Sequence, residues 1–343
     1  PRYDDALSSV LAFDMKEGNT ERFQTRLTLG ASEAGVTFDT PLTKDGSVTL
    51  IASARRSYLQ FLFELLELPF LPDNWDYQYK LNWRIDKKNE LTVLGIGAID
   101  RFEKNTPEDT DPEQRFVLDG LPIFEQNTYT VGLRWKHLTQ SGYLSVAASR
   151  NALTNNQFLD RQDSQGNVFR PFDFEATEAE TKLRVNRVQK LGQWTLGYGG
   201  LVQHAAYENR EVNIEEAPSG IGLDTVRAAA DIDFLRYGFH AKLGRRFGRL
   251  RTGFGLRTDL NTFTSEGQQP LATLSPRLNL SYALTDRWAL NASSGVYYKL
   301  PPYTLLGFRN KGQFQNRDAE YIRSTHVVLG TEYQPKRSLN ITL

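Results

Sequence analysis

Tyr77-Gln78-Tyr79-Lys80-Leu81-Asn82-Trp83-Arg84-Ile85 alternates without interruption between apolar or aromatic side chains and polar ones. Successive side chains of a strand point to opposite faces. Tyr77, Tyr79, Leu81, Trp83 and Ile85 therefore share one face, and Gln78, Lys80, Asn82 and Arg84 share the other. One face suits a greasy surrounding; the other suits water. The rhythm continues upstream, where Phe23, Thr25, Leu27 and Leu29 oppose Arg22, Gln24 and Arg26, where Val36, Phe38 and Leu42 form the next apolar set, and where Val48, Leu50, Ala52 and Ala54 oppose Thr49 and Ser53. Downstream, Tyr129, Val131, Leu133 and Trp135 oppose Thr130, Arg134 and Lys136, and Leu183 and Val185 oppose Glu178, Glu180, Lys182, Arg184 and Asn186. Tyr237, Phe239, Ala241 and Leu243 then oppose Arg236, His240 and Lys242, and Leu250, Phe254, Leu256 and Leu260 oppose Arg251, Arg257 and Asp259. Two segments are less regular: Leu91 to Ile99 carries Leu94 and Ile96 on its polar side, and Tyr143 to Arg150 is small or apolar on both sides.

About fifteen such segments follow a short initial one, Ser8 to Lys16, and most have the ~9 to 11 residues a tilted strand needs to cross a bilayer. Short turns fall at Lys87 to Asn89, Thr139 to Ser141, Leu191 and Gly192, Phe247 and Gly248, Thr285 and Asp286, and Pro335 to Arg337. Gly, Asn, Asp, Ser and Pro dominate them, as tight connections require. Between these turns lie much longer loops. Short turns at one end and long loops at the other predict an all-β fold, an antiparallel transmembrane β-barrel with its short turns on the periplasmic side and its loops outside. A soluble sandwich would not need strands this long joined by loops so unequal. Trp83, Trp135, Trp194, Tyr282 and Trp288 each lie within a few residues of a short turn, which predicts an aromatic girdle at one membrane interface. Lys and Arg stay off the apolar faces except near segment ends, as at Arg56, Arg245 and Arg323, consistent with a mid-bilayer cost of about 2 to 4 kcal/mol.

Composition agrees. The 343 residues carry 41 basic and 41 acidic side chains, so no field of one sign points to nucleic acid. Nothing divides the chain into two domains. Mean hydropathy is −0.49, a value a barrel reaches easily because only alternate residues meet lipid. No run approaches the ~20 apolar residues of a spanning helix. Cysteine is absent, which removes disulfides, thiolate metal sites and cysteine nucleophiles from consideration. The chain opens on Pro1 without a signal peptide and stops within a strand-like segment, Ser338 to Leu343, so it is expected to be a piece of a longer protein.

Three stretches resemble the TonB-dependent outer-membrane receptors. Ala6 to Asn19 (ALSSVLAFDMKEGN) is similar to the last strand of that family's plug domain. Leu42 to Tyr58, with Lys44-Asp45-Gly46 as a turn and Arg55-Arg56-Ser57-Tyr58 at its end, resembles the third barrel strand. Leu274-Ser275-Pro276-Arg277-Leu278 through Leu284-Thr285-Asp286-Arg287-Trp288, then Tyr297-Tyr298-Lys299-Leu300-Pro301-Pro302-Tyr303, resembles a later barrel hairpin. The family's barrel has about 22 strands around a plug, so the resemblance implies that residues 1–20 are the end of a plug domain and its link, and that residues 21–343 are a partial barrel of about 15 strands. It further implies active import across the outer membrane, powered by a TonB-type complex acting through an N-terminal plug this sequence does not contain. The ligand would be scarce: a ferric siderophore, a cobalamin, an oligosaccharide or a peptide. A passive porin-like pore or an assembly barrel would share the strands and the girdle, and an outer-membrane enzyme is a third class.

No catalytic set and no cofactor site stands out. His137, His204, His240 and His326 are far apart in sequence and lack zinc-type spacing. Asp160, Asp163, Gly166 and Asn167 lack the full calcium-loop pattern, and Glu108, Asp109, Asp111 and Glu113 read as a polar loop. Tyr58 to Phe70 is different: Gln60, Glu64 and Glu67 fall on one helical face while leucines and phenylalanines cover the rest. A short helix is expected there, either a lid or docking surface for a partner such as a surface lipoprotein, or a packing element among loops. Since the family captures ligands with its outer loops, the resemblance makes Tyr303, Phe308, Arg309, Lys311, Phe314 and Arg317 the candidate ligand residues.

Overall fold

The computed structural model describes residues 2–105, 112–162, 167–216 and 223–343. Its alternating segments form one antiparallel sheet of 15 strands in chain order. They are β1 (Gln24–Leu29), β2 (Glu33–Pro41), β3 (Val48–Ser57), β4 (Phe70–Arg84), β5 (Asn89–Lys104), β6 (Ile123–Thr139), β7 (Gly142–Gln162) and β8 (Val168–Leu191). There follow β9 (Trp194–Glu216), β10 (Leu223–Phe247), β11 (Leu250–Asn261), β12 (Ser275–Ala283) and β13 (Trp288–Lys299). A separate hairpin of β14 (Arg309–Asn310) and β15 (Gln313–Phe314) interrupts the order, so β13 pairs with β16 (Ile322–Lys336) and β16 with β17 (Leu339–Thr342). Among the described residues, three short α-helices, α1 (Leu59–Leu65), α2 (Pro112–Gly120) and α3 (Tyr303–Leu306), and one 3-10 turn, Glu266–Gln268, sit in the loops. Glu108, Asp109 and Asp111, and Asp163 and Gly166, lie outside the described residues.

All six short turns join neighbouring strands at one end of the sheet. Their chemistry is local. Gly192 and Gly248 take φ of 60° and 56°, a left-handed conformation that costs glycine little. Asp86 closes the β4–β5 turn by accepting from the Asn89 side chain (2.7 Å) and from the backbone N–H groups of Lys88 (2.6 Å) and Asn89 (2.8 Å). The Asn89 side-chain bond, with the two backbone bonds behind it, holds the Asp86 carboxyl below its ordinary pKa.

Opposed residues of an antiparallel pair share a face, so the register sorts the side chains. One row runs Lys80, Leu94, Gly132, Ser149, Lys182, Gln203, Arg236, Asn261 across eight strands, and its members are mainly polar. A row on the opposite face runs Trp83, Leu91, Trp135, Val146, Val185. Leu94 and Ile96 do fall on the polar face, beside Lys80 and Gln78. The irregular reading of Leu91 to Ile99 has a second cause on the apolar face, where Gly95 and Gly97 stand beneath the rings of Tyr79 and Tyr77. A Cβ at either glycine would lie 2.2 to 2.5 Å from ring atoms. Trp83, Trp135, Trp194, Tyr282 and Trp288 all belong to the apolar-face rows, close to the short turns.

The polar face is the concave one. Tyr303, in the loop after β13, donates to Glu180 on β8, 2.6 Å away. On a flat sheet those strands would stand about 24 Å apart, at ~4.8 Å per step. The N-terminal residues run along this concave face. Ser8 to Lys16 forms no strand here; side chains hold the segment instead. Lys16 pairs with Asp39 (2.7 Å), Glu17 with Arg84 (3.0 Å), and Lys80 donates to the Met15 carbonyl (2.7 Å). Farther along the curved wall, Asp4 pairs with Arg184 (3.0 Å) and Asp5 with Arg236 (2.6 Å). Burial opposes ionisation of Asp4, but Arg184, Arg257 and Lys182 outweigh it and keep its pKa below the ordinary value.

At the loop end, Phe63 of α1, Phe70, Phe102 and Phe124 form a series of ring contacts with centroids 5.1 to 5.6 Å apart. This series holds α1 to β4, β5 and β6, while Phe61, Leu62, Leu65 and Leu66 remain exposed. The helix is shorter than the Tyr58 to Phe70 stretch predicted for it.

Candidate functional site

The loop between β13 and β16 folds into the concave side. Pro302, with φ −54° and ψ 146°, sets up the single turn of α3, and the loop then presses Leu300, Tyr303, Leu306 and Tyr321 against Ala205 and Tyr207 of β9, Ala230, Ile232 and Phe234 of β10, and Phe263. The small residues Ala205 and Ala230 leave room for it. Gly307 passes so close to β10 that a Cβ there would lie 2.8 Å from that of Ala230. Gly307→Val is therefore expected to cost about 1 to 3 kcal/mol of loop docking, read as faster proteolysis within residues 300–321 while the sheet stays intact.

Beneath this apolar layer lies a polar one. The Tyr303 hydroxyl donates to Glu180 and accepts from Gln203 (3.4 Å) and Arg236 (3.4 Å). Asp5 accepts from Arg236 and from the Leu300 backbone N–H (3.3 Å), and Lys182 pairs with Glu180 (2.7 Å). Burial, reinforced by the Glu180 carboxylate, pushes the Tyr303 phenol well above the ordinary tyrosine range, so it stays a proton donor. A cavity of about 260 Å³ beside it is lined by Asp5, Glu178, Glu180, Arg236 and Lys299.

Above the apolar layer, the Phe314 ring meets Phe263 edge-on at 5.3 Å. Arg309 lies over Phe314 at 4.2 Å, and Arg317 spans both rings at 4.6 and 5.1 Å. Backbone carbonyls position the two guanidiniums: Arg309 donates to Asp231 (3.0 Å) and Arg317 to Phe263 (3.4 Å). Among the described residues, neither arginine has a carboxylate partner.

The six sequence candidates thus separate. Arg309, Phe314 and Arg317 come together; Tyr303 points down into the polar layer; Phe308 is exposed, and Lys311 sits at the hairpin turn with φ 49°. Sequence reasoning missed Phe263 and Asn261. Asn261 accepts from the backbone N–H groups of Phe263 (2.8 Å) and Thr264 (2.7 Å) and donates to the Tyr321 hydroxyl (3.0 Å), tying the β11–β12 loop to the β13–β16 loop. An asparagine that closes a strand and is followed by Thr262-Phe263-Thr264-Ser265 is the local signal that marks it. The four histidines stay apart, His204 with Asp233 (2.7 Å) and His326 with Ser324 (2.7 Å). Among the described residues no group of three metal-ligating side chains is assembled.

A curved antiparallel wall of 15 strands, with a polar concave face and an apolar outer one, fits part of a transmembrane β-barrel. The chain belongs to the TonB-dependent receptor-like β-barrel family, whose model matches residues 23–343. It is similar in fold to a chain of the FpvAI–pyocin S2 complex, with a TM-score of 0.67 at 14% identity, covering 94% of this chain and 46% of that one. The ferric enterobactin receptor PfeA of Pseudomonas aeruginosa gives 0.60 at 16% identity over 90% and 49% of the two chains. The alcaligin outer-membrane receptor FauA of Bordetella pertussis gives 0.61 at 12% identity over 95% and 51%. The chain spans about half the length of these structures. No curated sequence matches it.

Proposed function

We propose that this chain is the larger part of the barrel of an outer-membrane active receptor that captures an anionic ferric siderophore and imports it with energy from a TonB-type complex. The strands cross the bilayer, the short turns face the periplasm, and Trp83, Trp135, Trp194, Tyr282 and Trp288 mark the periplasmic interface. Residues 1–20 are the link from a plug domain.

The observation that carries this reading is the infolded β13–β16 loop. Two arginines with no carboxylate partner among the described residues are stacked on aromatic rings at the barrel mouth, an arrangement suited to planar, negatively charged groups. A passive pore would gain nothing from an N-terminal segment laid across its lumen. The siderophore receptors among the structural neighbours support the ligand class over a cobalamin, a glycan or a peptide.

The test uses the full-length receptor in cells lacking their other iron receptors, fed ferric tris-catecholate, ferric tris-hydroxamate, cobalamin or maltooligosaccharide. Saturable uptake of the anionic ferric chelate is expected, and it is expected to vanish when the energy complex is deleted or the proton gradient collapsed. Uptake indifferent to both treatments would overturn active import.

A further inference from the structure

We propose that the turn end of the concave wall carries a second site for the imported anion, an exit site built on Lys242, Arg246 and Arg251. The proposal rests on the import of an anionic chelate and extends it from capture to release. The register places the three cations in consecutive inward rows, on the same face as Arg236. One row runs Gly197, Lys242, Gly255, Arg277, the next Thr195, Gly244, Gly253, Asn279, Ser293, and the third Arg246, Arg251, Ser281, Asn291. No carboxylate stands in them. Lys242 is five residues from Phe247, where β10 ends, about 13 Å from the turn for a strand tilted ~40°. Arg236 is eleven residues from that end, about 28 Å by the same geometry. The three cations therefore lie at the periplasmic end, far from the mouth.

Pairing separates them from the cations higher on the wall. Arg184 is neutralised by Asp4 (3.0 Å), Arg236 by Asp5 (2.6 Å), Lys182 by Glu180 (2.7 Å) and Arg257 by Asp259. Among the described residues, Lys242, Arg246 and Arg251 have no carboxylate partner, and Arg246 donates to the Gly248 carbonyl (2.8 Å). Arg246 and Arg251 stand directly opposite each other, a like-charge pair that costs an antiparallel ladder stability. An anion lying against both removes that cost. Glycine flanks Lys242 on both neighbouring strands, so its ammonium rises from a low floor and is exposed. The three cations, with Asn279 and Ser293, border a cavity of about 1080 Å³ that no carboxylate lines, large enough for a chelate, since ligand pockets run to about 1,000 Å³. The N-terminal segment is bonded to this side of the wall higher up, at Arg184 and Arg236. An anion released from Arg309 and Arg317 thus passes a belt of neutralised cations and then meets uncompensated ones beside the periplasm.

The experiment measures equilibrium binding of ferric tris-catecholate to the full-length receptor in detergent, together with uptake of the same chelate by cells. The wild type should bind two equivalents, one tight and one weaker. Lys242→Gln with Arg251→Gln should weaken the second by about tenfold or more and leave the first, whose retention shows that the variant is folded. Arg309→Gln with Arg317→Gln should do the reverse. In cells, the lower pair of substitutions should cut the saturated uptake rate of the tris-catecholate several-fold and leave that of a neutral ferric tris-hydroxamate unchanged. A single equivalent indifferent to Lys242 and Arg251 would overturn the exit site. So would an equal loss of uptake for both chelates, which would mean that the lower wall holds the plug. A receptor that binds the tris-catecholate at neither site would instead refute the anionic-chelate reading itself.

Discussion

Arg236→Leu is expected to lower the unfolding free energy of the full-length receptor by about 3 kcal/mol, toward the low end of what breaking a buried ion pair costs. The Arg236 side chain is 6% exposed and meets Asp5 at 2.6 Å, while Asp5 itself is 32% exposed, so solvent relieves part of the loss. The substitution also removes a donor from Tyr303, leaving that hydroxyl to Glu180 and Gln203. Asp5→Asn should cost less, since Leu300 and Arg236 can still donate to the amide oxygen. The double variant should be more stable than Arg236→Leu alone, because position 5 then carries no carboxylate left without its arginine. The coupling in this cycle, taken from urea midpoints, measures the pair. Additive effects would mean that the N-terminal segment is held by Asp4, Met15, Lys16 and Glu17 without help from this pair. Proteolysis between Ala6 and Phe13 gives a second readout, since losing the Asp5 interaction leaves that end of the segment on the Asp4–Arg184 pair and leaves the sheet untouched.

The sheet was legible because its information is local. A period of two needs only a strand's own residues, and Lys80 facing inward beside Trp83 facing outward follows from parity alone. Turn chemistry was equally local at Gly192, Gly248 and Asp86. Where both faces are small or apolar, parity loses its meaning. Tyr143 to Arg150 is such a segment, and only pairing with Val131 and Thr181 shows that Arg150 faces out. The infolding of the β13–β16 loop was illegible for a different reason. It depends on Ala205 and Ala230, far away in sequence, leaving space that Leu306 and Tyr303 fill. Tyr303, grouped with surface aromatics from its loop position, is buried by that packing. The extended path of Ser8 to Lys16 likewise depends on cations of distant strands. Alternation predicts a strand there, yet no neighbouring backbone completes a ladder.

Arg309→Gln together with Arg317→Gln is expected to weaken binding of a trianionic ferric tris-catecholate by about a hundredfold, since a charge-assisted hydrogen bond is worth about 1.5 to 3 kcal/mol. Binding of a neutral ferric tris-hydroxamate should change little, because the rings of Phe263 and Phe314 remain. The arginines are pre-positioned: Phe314 stacks beneath both, and carbonyls of Asp231 and Phe263 fix their edges, so little side-chain entropy is lost when an anion arrives. Lys substitutions should recover less than half of the affinity, since an ammonium keeps the charge but neither stacks as a plane nor presents a fork. Phe263→Leu separates orientation from charge. It removes one ring from under Arg317 and should raise the dissociation constant several-fold through slower association and faster release, with the charge-dependent selectivity intact. If the double glutamine variant binds the tris-catecholate as tightly as the wild type, the two arginines serve only to lock the loop against β10 and β11. The same variant would then show the proteolytic sensitivity expected of Gly307→Val, and the anionic ligand would have to be held by loops on the opposite side of the mouth.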